Sequence, residues 1–361
     1  MRVIIATGIY PPEVGGPATS SKLLKEKLEA EAIGVQVVVF GLSRKFPKVI
    51  RHIHYTLRLL RAVGLRKTII FSQDIISVGF PAAVVSFMPN VSLVARVPGD
   101  YAWEQSTQKF GVTETLDDFQ DKGYGLKIET LRKVQRWVLR RAHTVIVPSN
   151  YFKSIVIKWG INQQTLVVVY NGIDCKLEFK NKVQTNTRLP LKIVTAGRLV
   201  PWKGFDTLIE IFQSIPEAQL LIYGEGPDRQ RLEDIIENKK LETKVLLKGG
   251  VDRDFLMEEI SNASGFVLNT RFESFSYQIA EVMQIGTPII TTNVGSLPEL
   301  ISNGKEGVLL NPDDFEGFAR EIATLSDRSV WGERVLNARE KVQVFSIERT
   351  ISNYIKIFKS I

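Results

Sequence analysis

Two glutamates, Glu273 and Glu281, stand eight residues apart in the stretch of this sequence that is richest in groups for ligand chemistry. Glu273 ends the loop after a predicted strand, and Glu281 lies two turns into the helix predicted to follow. Eight residues of continuous helix rotate about 80° past two full turns, which would place both carboxylates broadly on one side. With Glu273 in the loop, the pair could instead engage opposite ends of one ligand. The plainer alternative is that Glu273 caps the helix and Glu281 is solvated.

Two cations follow another predicted strand. Arg198 and Lys203 lie in a short loop that begins with Gly197 and ends with Gly204. Arginine can bind two oxygens and lysine adds a point charge, so the pair suits a diphosphate. The alternative is a surface loop with solvated bases. The helix predicted to begin near residues 275–277 also presents unpaired N–H groups, which favour an anion.

A glycine pair, Gly15-Gly16, lies between the first predicted strand and a helix. Glycines before a helix N-terminus allow the backbone to approach a phosphate closely. The pair does not form the G-x-G-x-x-G dinucleotide fingerprint, and a plain turn is an equally good interpretation.

The elements that would position these groups are short apolar runs alternating with amphipathic segments. Buried strands that alternate with helices indicate parallel sheets built from βαβ units, with ligands at the carboxyl ends of the strands. The sequence therefore predicts an α/β protein with two Rossmann-like domains facing an interdomain cleft. The predicted strands are 3–7, 35–40, 68–71, 92–97, 144–148, 166–170, 191–196, 219–223, 244–247, 266–269, 288–291 and 307–310.

Length and composition agree with two domains, because a single core usually stops growing at about 250–300 residues and the chain has 361. We predict domains at 1–178 and 189–345, separated by the polar linker 176–188. The segment 346–361 is an amphipathic helix that needs a partner. A single cysteine fits a reducing compartment, and no secretory signal or membrane span is evident, so we expect a cytoplasmic protein. The net charge of +8 favours anionic partners.

These motifs, taken together, resemble the retaining glycosyltransferases of family 4, which have the two-domain GT-B fold. The resemblance runs through the whole chain, and the shared order and spacing of its short motifs are highly specific. The motifs are Gly15-Gly16, Val147-Pro148-Ser149, Tyr170-Asn171-Gly172-Ile173-Asp174, Gly197-Arg198-Leu199 with Lys203-Gly204, Gly224-Glu225-Gly226-Pro227, and Glu273 with Glu281.

The resemblance implies a role for each motif. Arg198 and Lys203 would hold the diphosphate of a nucleotide-sugar donor, Glu281 its ribose and Glu273 the transferred sugar. Gly16 would close over the phosphates, and the last helix would cross back to the N-terminal domain. The resemblance also implies retention of anomeric configuration, with the leaving phosphate taking the acceptor's proton. The backbone groups that would meet sugar and phosphate belong to Phe275, Ser276 and Tyr277.

The chain departs from the family pattern at two places. Ser276 stands where the usual motif has glycine, which makes a close approach to the sugar less certain. The loop that often carries an active-site histidine has none and contains Gly99-Asp100 instead. Asp100 could orient a hydroxyl or stabilise positive charge at the anomeric carbon, or it could simply cap a turn.

No cofactor or metal is expected, because Arg198 and Lys203 are available for the diphosphate. Asp252-Arg253-Asp254 has the D-x-D form that binds metal in another glycosyltransferase fold, but here it precedes a helix, where aspartate is a natural cap. The histidines at 52, 54 and 143 form no plausible metal set.

The acceptor is expected on the N-terminal domain and to be a glycan or lipid-linked glycan. Basic amphipathic segments at 51–67 and 126–142 could contact an anionic membrane, or they could be solvated faces over a packed core. Two other classes remain open: a nucleotide-sugar epimerase, and a non-catalytic binder of nucleotide sugars or anionic surfaces. Nucleic-acid binding is the weakest alternative, since no recognisable motif accompanies the basic residues.

Overall fold

The structure is a computed structural model that describes residues 1–13, 16–64, 66–175 and 189–361. The predicted linker 176–188 and Gly15 of the glycine pair lie outside these described residues. Within them the chain folds into parallel β-sheets and surrounding helices, as predicted.

The strands form two six-stranded sheets in which every observed pairing is parallel. The first has the order β2-β1-β3-β4-β5-β6 and the second β12-β11-β10-β7-β8-β9. Parallel sheets are covered by helices on both faces, which is why these strands are almost continuously apolar. The strands are β1 (Arg2–Thr7), β2 (Gly34–Val39), β3 (Thr68–Ser72), β4 (Val91–Arg96), β5 (Thr144–Val147), β6 (Leu166–Val168), β7 (Leu191–Ala196), β8 (Ala218–Tyr223), β9 (Val245–Gly249), β10 (Gly265–Leu268), β11 (Ile289–Thr292) and β12 (Val308–Leu310).

The helices connect the strands, and many begin at a side-chain cap. Ser149, Asp252 and Ser276 each accept a hydrogen bond from the backbone N–H three residues later, as N-cap residues do. The helices are α1 (Gly16–Ala30), α2 (Lys48–Val63), α3 (Gly79–Val85), α4 (Tyr101–Lys109), α5 (Leu116–Asp121), α6 (Leu126–Arg141), α7 (Asn150–Lys158), α8 (Phe205–Gln213), α9 (Arg229–Asn238), α10 (Arg253–Ser261), α11 (Tyr277–Ile285), α12 (Leu297–Leu300), α13 (Phe315–Ala323), α14 (Arg328–Lys341) and α15 (Ile347–Lys359).

The chain divides into two compact units. The first contains Met1–Tyr170 together with Ile347–Ile361, and the second contains Asn171–Ser346. Within the second unit, a parallel bridge between Ile173 and Ser346 joins the first residues of the unit to its last residue.

Helix α15 belongs to the first unit, where it finds the partner that its amphipathic pattern requires. The rings of Tyr354 and Phe358 lie 5.1 and 5.4 Å from that of Phe71 in β3. The Thr350 hydroxyl donates to the carbonyl of Tyr170 at 2.8 Å. The prediction that the final helix returns to the N-terminal domain is confirmed. None of the helices in the described parts of the chain combines the length and low polarity needed to cross a bilayer.

Candidate active site

The candidate site of the second unit is built at the carboxyl edge of its sheet, where β10 lies beside β7. Because the two strands are parallel, the loops that follow them meet. The Arg271 N–H donates to the Trp202 carbonyl at 2.7 Å, and the Thr270 hydroxyl donates to the same carbonyl at 3.2 Å. The loop that carries the two cations is therefore fixed on the loop that carries Glu273.

Gly204 is the residue that allows these two loops to approach each other. Its φ is +61°, in the left-handed region, and a Cβ atom here would lie 2.0 Å from the carbonyl oxygen of Asn269. Gly204 also precedes α8, so the turn that places Lys203 depends on a residue without a side chain.

We expect Gly204→Ala to lower the free energy of unfolding by about 3 kcal/mol or more, because left-handed strain adds to a steric clash. Gly304→Ala is the matched control: Gly304 has φ +80° but nothing within 4 Å of its missing Cβ. Its loss should be only about 1–2 kcal/mol, from backbone strain alone. Urea unfolding measures both. Equal losses in the two variants would contradict the steric argument.

Lys203 and Glu273 form an ion pair across the two loops. Their side chains are only 15% and 11% exposed. The Glu273 backbone is held from the other side, because its carbonyl accepts the Ser296 N–H at 3.0 Å. Gly295 makes this possible, since a Cβ there would lie 2.3 Å from the same carbonyl oxygen. The site thus places a largely buried cation beside a largely buried carboxylate.

Arg198 follows Gly197 at the end of β7, and its side chain is exposed. The loop around it is stacked on the loop after β8. The Leu199 N–H donates to the Glu225 carbonyl at 3.0 Å, and a Cβ on Gly224 would lie 1.9 Å from the Gly197 carbonyl oxygen. These contacts fix the backbone of Arg198 at the sheet edge.

Helix α11 begins beside this loop, and its cap differs from the glycine of the family pattern. The Ser276 hydroxyl accepts the Ile279 N–H at 3.3 Å, so one of the first N–H groups of the helix is already satisfied. Phe275 packs between Tyr277 and Phe345, with ring centroids 5.7 Å from each. The helix end still directs its positive dipole at the loop that contains Glu273.

Glu281 lies one turn into α11, not two turns as the sequence predicted, because the helix begins only at Tyr277. Glu273 is outside the helix, which leaves the alternative in which the two carboxylates engage different parts of a ligand. Burial raises the pKa of Glu281 above its usual value, and Arg253 opposes this shift. Nε and Nη2 of Arg253 lie 2.8 and 2.7 Å from Glu281 Oε1.

Arg253 was not predicted as a site residue, because in the sequence it is the centre of a possible metal motif, Asp252-Arg253-Asp254. The available signal was its position at the start of a helix that follows β9 at the same sheet edge. Asp252 beside it caps α10 by accepting the Phe255 N–H at 2.9 Å, as predicted. In the described residues, no cluster of three or more His, Cys, Asp or Glu side chains could hold a metal ion.

Asp100 and Gly16 belong to the first unit. Gly16 is the first residue of α1. Asp100 is buried and caps α4, since Oδ1 accepts the Trp103 N–H at 3.1 Å. Gln135 donates to the same oxygen at 3.1 Å, and Gln120 donates to Oδ2 at 3.0 Å. Burial raises the pKa of this carboxyl, and these hydrogen bonds oppose the shift. These contacts of Asp100 agree with the predicted alternative in which it is a cap.

We therefore expect Asp100→Asn to lower the free energy of unfolding by about 1–3 kcal/mol, because the new amide would meet the Gln120 amide donor. Gln120 cannot simply turn over, since its Oε1 accepts the Trp159 indole N–H at 2.7 Å. Thermal unfolding and turnover of a sugar donor should be measured together. A variant of unchanged stability that no longer turns over a sugar donor would instead support a catalytic role for Asp100.

Two protein-family profiles match the sequence, one in each half of the chain. The profile described as Glycosyltransferase Family 4 matches residues 14–177, and that described as Glycosyl transferases group 1 matches residues 178–342. A 2-deoxystreptamine N-acetyl-D-glucosaminyltransferase of Niallia circulans is 27% identical over 53% of this chain and 50% of its own length. An uncharacterized glycosyltransferase of Methanocaldococcus jannaschii is 30% identical over 53% of each chain. The chain thus spans about half the length of these curated relatives.

Solved structures share the fold along the full chain. Sucrose-phosphate synthase from Thermosynechococcus elongatus superposes with a TM-score of 0.80 at 20% identity, covering 100% of this chain and 99% of that one. Anabaena HepE in complex with UDP-glucose superposes with a TM-score of 0.75 at 18% identity, covering all of both chains. Because both halves match their profiles and the fold agrees throughout, the chain belongs to the group 1, family 4 glycosyltransferases of GT-B fold, as its motifs predicted.

Proposed function

We propose that this protein is a retaining glycosyltransferase that moves a sugar from a nucleotide-diphosphate donor to a hydroxyl acceptor. The observation that carries the proposal is the Lys203–Glu273 ion pair, held at the carboxyl edge of the sheet beside the start of α11. A cation and a helix N-terminus favour a diphosphate, and the carboxylate favours the hydroxyls of a sugar. That HepE was crystallised with UDP and with UDP-glucose supports the donor class.

The ion pair suggests how donor binding prepares the reaction. In the absence of donor, Lys203 and Glu273 neutralise each other. A diphosphate is a better partner for Lys203 because it carries more negative charge, and its binding releases the Glu273 carboxylate to accept hydrogen bonds from the sugar. Glu281, with Arg253 beside it, is assigned to the ribose hydroxyls.

The chemistry follows from charge separation at the anomeric carbon. Breaking its bond to oxygen loads negative charge on the leaving diphosphate, which Lys203, Arg198 and the α11 N-terminus would stabilise. The acceptor's hydroxyl oxygen would bond to the anomeric carbon from the face that the diphosphate leaves, and the leaving phosphate would take the hydroxyl proton. Attack from that same face gives retention of configuration. No metal or other cofactor is needed in this scheme, because side-chain cations do that work.

The acceptor we propose is a glycan or a lipid-linked glycan bound by the first unit, with the enzyme in the cytoplasm and in peripheral contact with an anionic membrane. A cavity of about 300 Å³ at the carboxyl ends of β3 and β4 supports a hydroxyl acceptor. Asp74, Ser77, Tyr101 and Glu104 line it, and such groups bind hydroxyls.

Turnover of UDP-sugars in the presence of EDTA tests the proposal. We expect release of UDP, transfer of the sugar to an added glycan, and no loss of rate when divalent metal is chelated. Conversion of the donor to another UDP-sugar without release of UDP would indicate the epimerase alternative. UDP binding without any turnover across a broad acceptor panel would indicate the non-catalytic alternative.

A further inference from the structure

The first unit carries an open apolar groove of about 610 Å³ between α2, α3 and α6. Its walls are almost entirely hydrocarbon, with Ile53 and Leu57 from α2, Phe80 and Val84 from α3, and Leu131 and Val134 from α6. Ile53 is 55% exposed and Leu57 49% exposed. Contiguous exposed apolar surface of this kind is uncommon unless it binds something.

The positive charge of the protein is concentrated on the same helices. Helix α2 has four basic and no acidic residues, and α6 has six basic residues and one acidic residue, Glu129. Glu129 is already paired with Arg132 at 2.8 Å. These two helices therefore carry nine net positive charges, one more than the net charge of +8 of the whole chain.

Two cations lie one helical turn from residues that line the groove. Arg61 follows Leu57 by one turn of α2, and Lys127 precedes Leu131 by one turn of α6, so each shares a face with the groove-lining residue. Both cations are exposed. An apolar groove with cations beside it complements an anionic amphiphile. The hydrocarbon chain would be buried in the groove, and the head group would contact the cations.

The groove also adjoins the polar cavity at the ends of β3 and β4. Ile76 lines both, so the hydrocarbon surface passes directly into a site with Asp74, Tyr101 and Glu104. One ligand with an apolar chain and a hydroxylated head could occupy the two together. A water-soluble glycan would use only the polar part.

We propose that the α2–α3–α6 groove binds the hydrocarbon chain of an anionic lipid whose polar head carries the acceptor hydroxyl into the adjoining cavity. This rests on the proposed function for the identity of the reaction, but the groove and its ligand chemistry can be tested separately. The acceptor class is thereby narrowed to a lipid-linked one.

Dodecyl phosphate below its micelle-forming concentration is the probe, with inorganic phosphate as the head-group control. Calorimetric titration should show saturable binding of dodecyl phosphate and none of inorganic phosphate at the same concentration. Leu57→Glu should weaken that binding at least tenfold, because it places a carboxylate in the path of the chain. Leu336→Glu is the matched control: Leu336 is 64% exposed in the second unit, and its variant should bind as the native protein does.

Ile53→Ser is the second variant and should also weaken binding, without adding charge. Unfolding midpoints of all variants confirm that they fold. Equal binding by native protein and Leu57→Glu would overturn the proposal. So would failure to bind dodecyl phosphate while the protein still floats with vesicles of equal parts phosphatidylcholine and phosphatidylglycerol, since contact would then be with the bilayer surface.

Dimerisation of the native protein that Leu57→Glu abolishes, without lipid binding, would likewise overturn the proposal and assign the groove to a second copy. UDP binding by the native protein is titrated in the same series. If UDP binds and dodecyl phosphate does not, the groove proposal alone fails. If dodecyl phosphate binds and UDP does not, the proposed transfer from a UDP-linked donor fails and the lipid site stands.

Discussion

Replacing Lys203 by alanine is expected to lower kcat/KM for sugar transfer about 10²–10³-fold, because it removes a preorganised positive group from the leaving diphosphate. The side chain is largely buried, so solvent screens its charge only weakly. The variant also leaves the largely buried Glu273 carboxylate without its ion-pair partner. Steady-state kinetics with a saturating acceptor measure the effect.

Lys192→Ala is the matched control for this variant. Lys192 lies on β7, the strand that leads to Lys203, and pairs with Glu259 at 2.9 Å, but it belongs to the opposite end of the strand. Its removal takes away a comparable ion pair without touching the carboxyl edge of the sheet. Equal losses of kcat/KM in the two variants would show that Lys203 acts through stability and not through the diphosphate.

Glu273→Gln is expected to separate nucleotide binding from turnover. The amide removes the negative charge that neutralises Lys203 in the empty site, so UDP should bind at least as tightly as it binds to the native protein. The sugar then lacks a carboxylate partner, and kcat should fall about 10²-fold. Titration with UDP and single-turnover kinetics with a UDP-sugar measure the two effects separately.

Glu259→Gln is the control for Glu273→Gln, because Glu259 is the glutamate of the Lys192–Glu259 ion pair. It should change neither UDP affinity nor kcat. Loss of UDP affinity in Glu273→Gln, accompanied by a lower unfolding midpoint, would assign Glu273 to the structure of the loop and remove it from sugar binding.

The strands could be predicted closely, because a strand that is buried on both faces of the sheet has a nearly continuous run of apolar residues. The first was predicted at 3–7 and is Arg2–Thr7, and the seventh, predicted at 191–196, is Leu191–Ala196. The fifth ends at Val147, one residue before its predicted end, because Pro148 has no N–H for the ladder. The boundaries of buried parallel strands are therefore a local property.

The contacts within the site could not be predicted in the same way. Lys203 and Glu273 are seventy residues apart, and they meet only because β10 lies beside β7, an order that no local pattern specifies. The pairing of Arg253 with Glu281 depends likewise on how α10 and α11 pack. The residue types at the site could be recognised from the motifs. Which residues pair with one another could not be predicted, because the pairing depends on the order of the strands in the sheet.

A crystal structure with bound UDP would show whether the Lys203–Glu273 ion pair opens to receive a diphosphate. We predict the diphosphate at the start of α11, with Lys203 Nζ turned from Glu273 to a phosphate oxygen, Arg198 on the same group and Glu281 hydrogen-bonded to the ribose. UDP bound elsewhere, or bound with the Lys203–Glu273 pair intact and Glu281 still engaged only with Arg253, would contradict this assignment of the donor site.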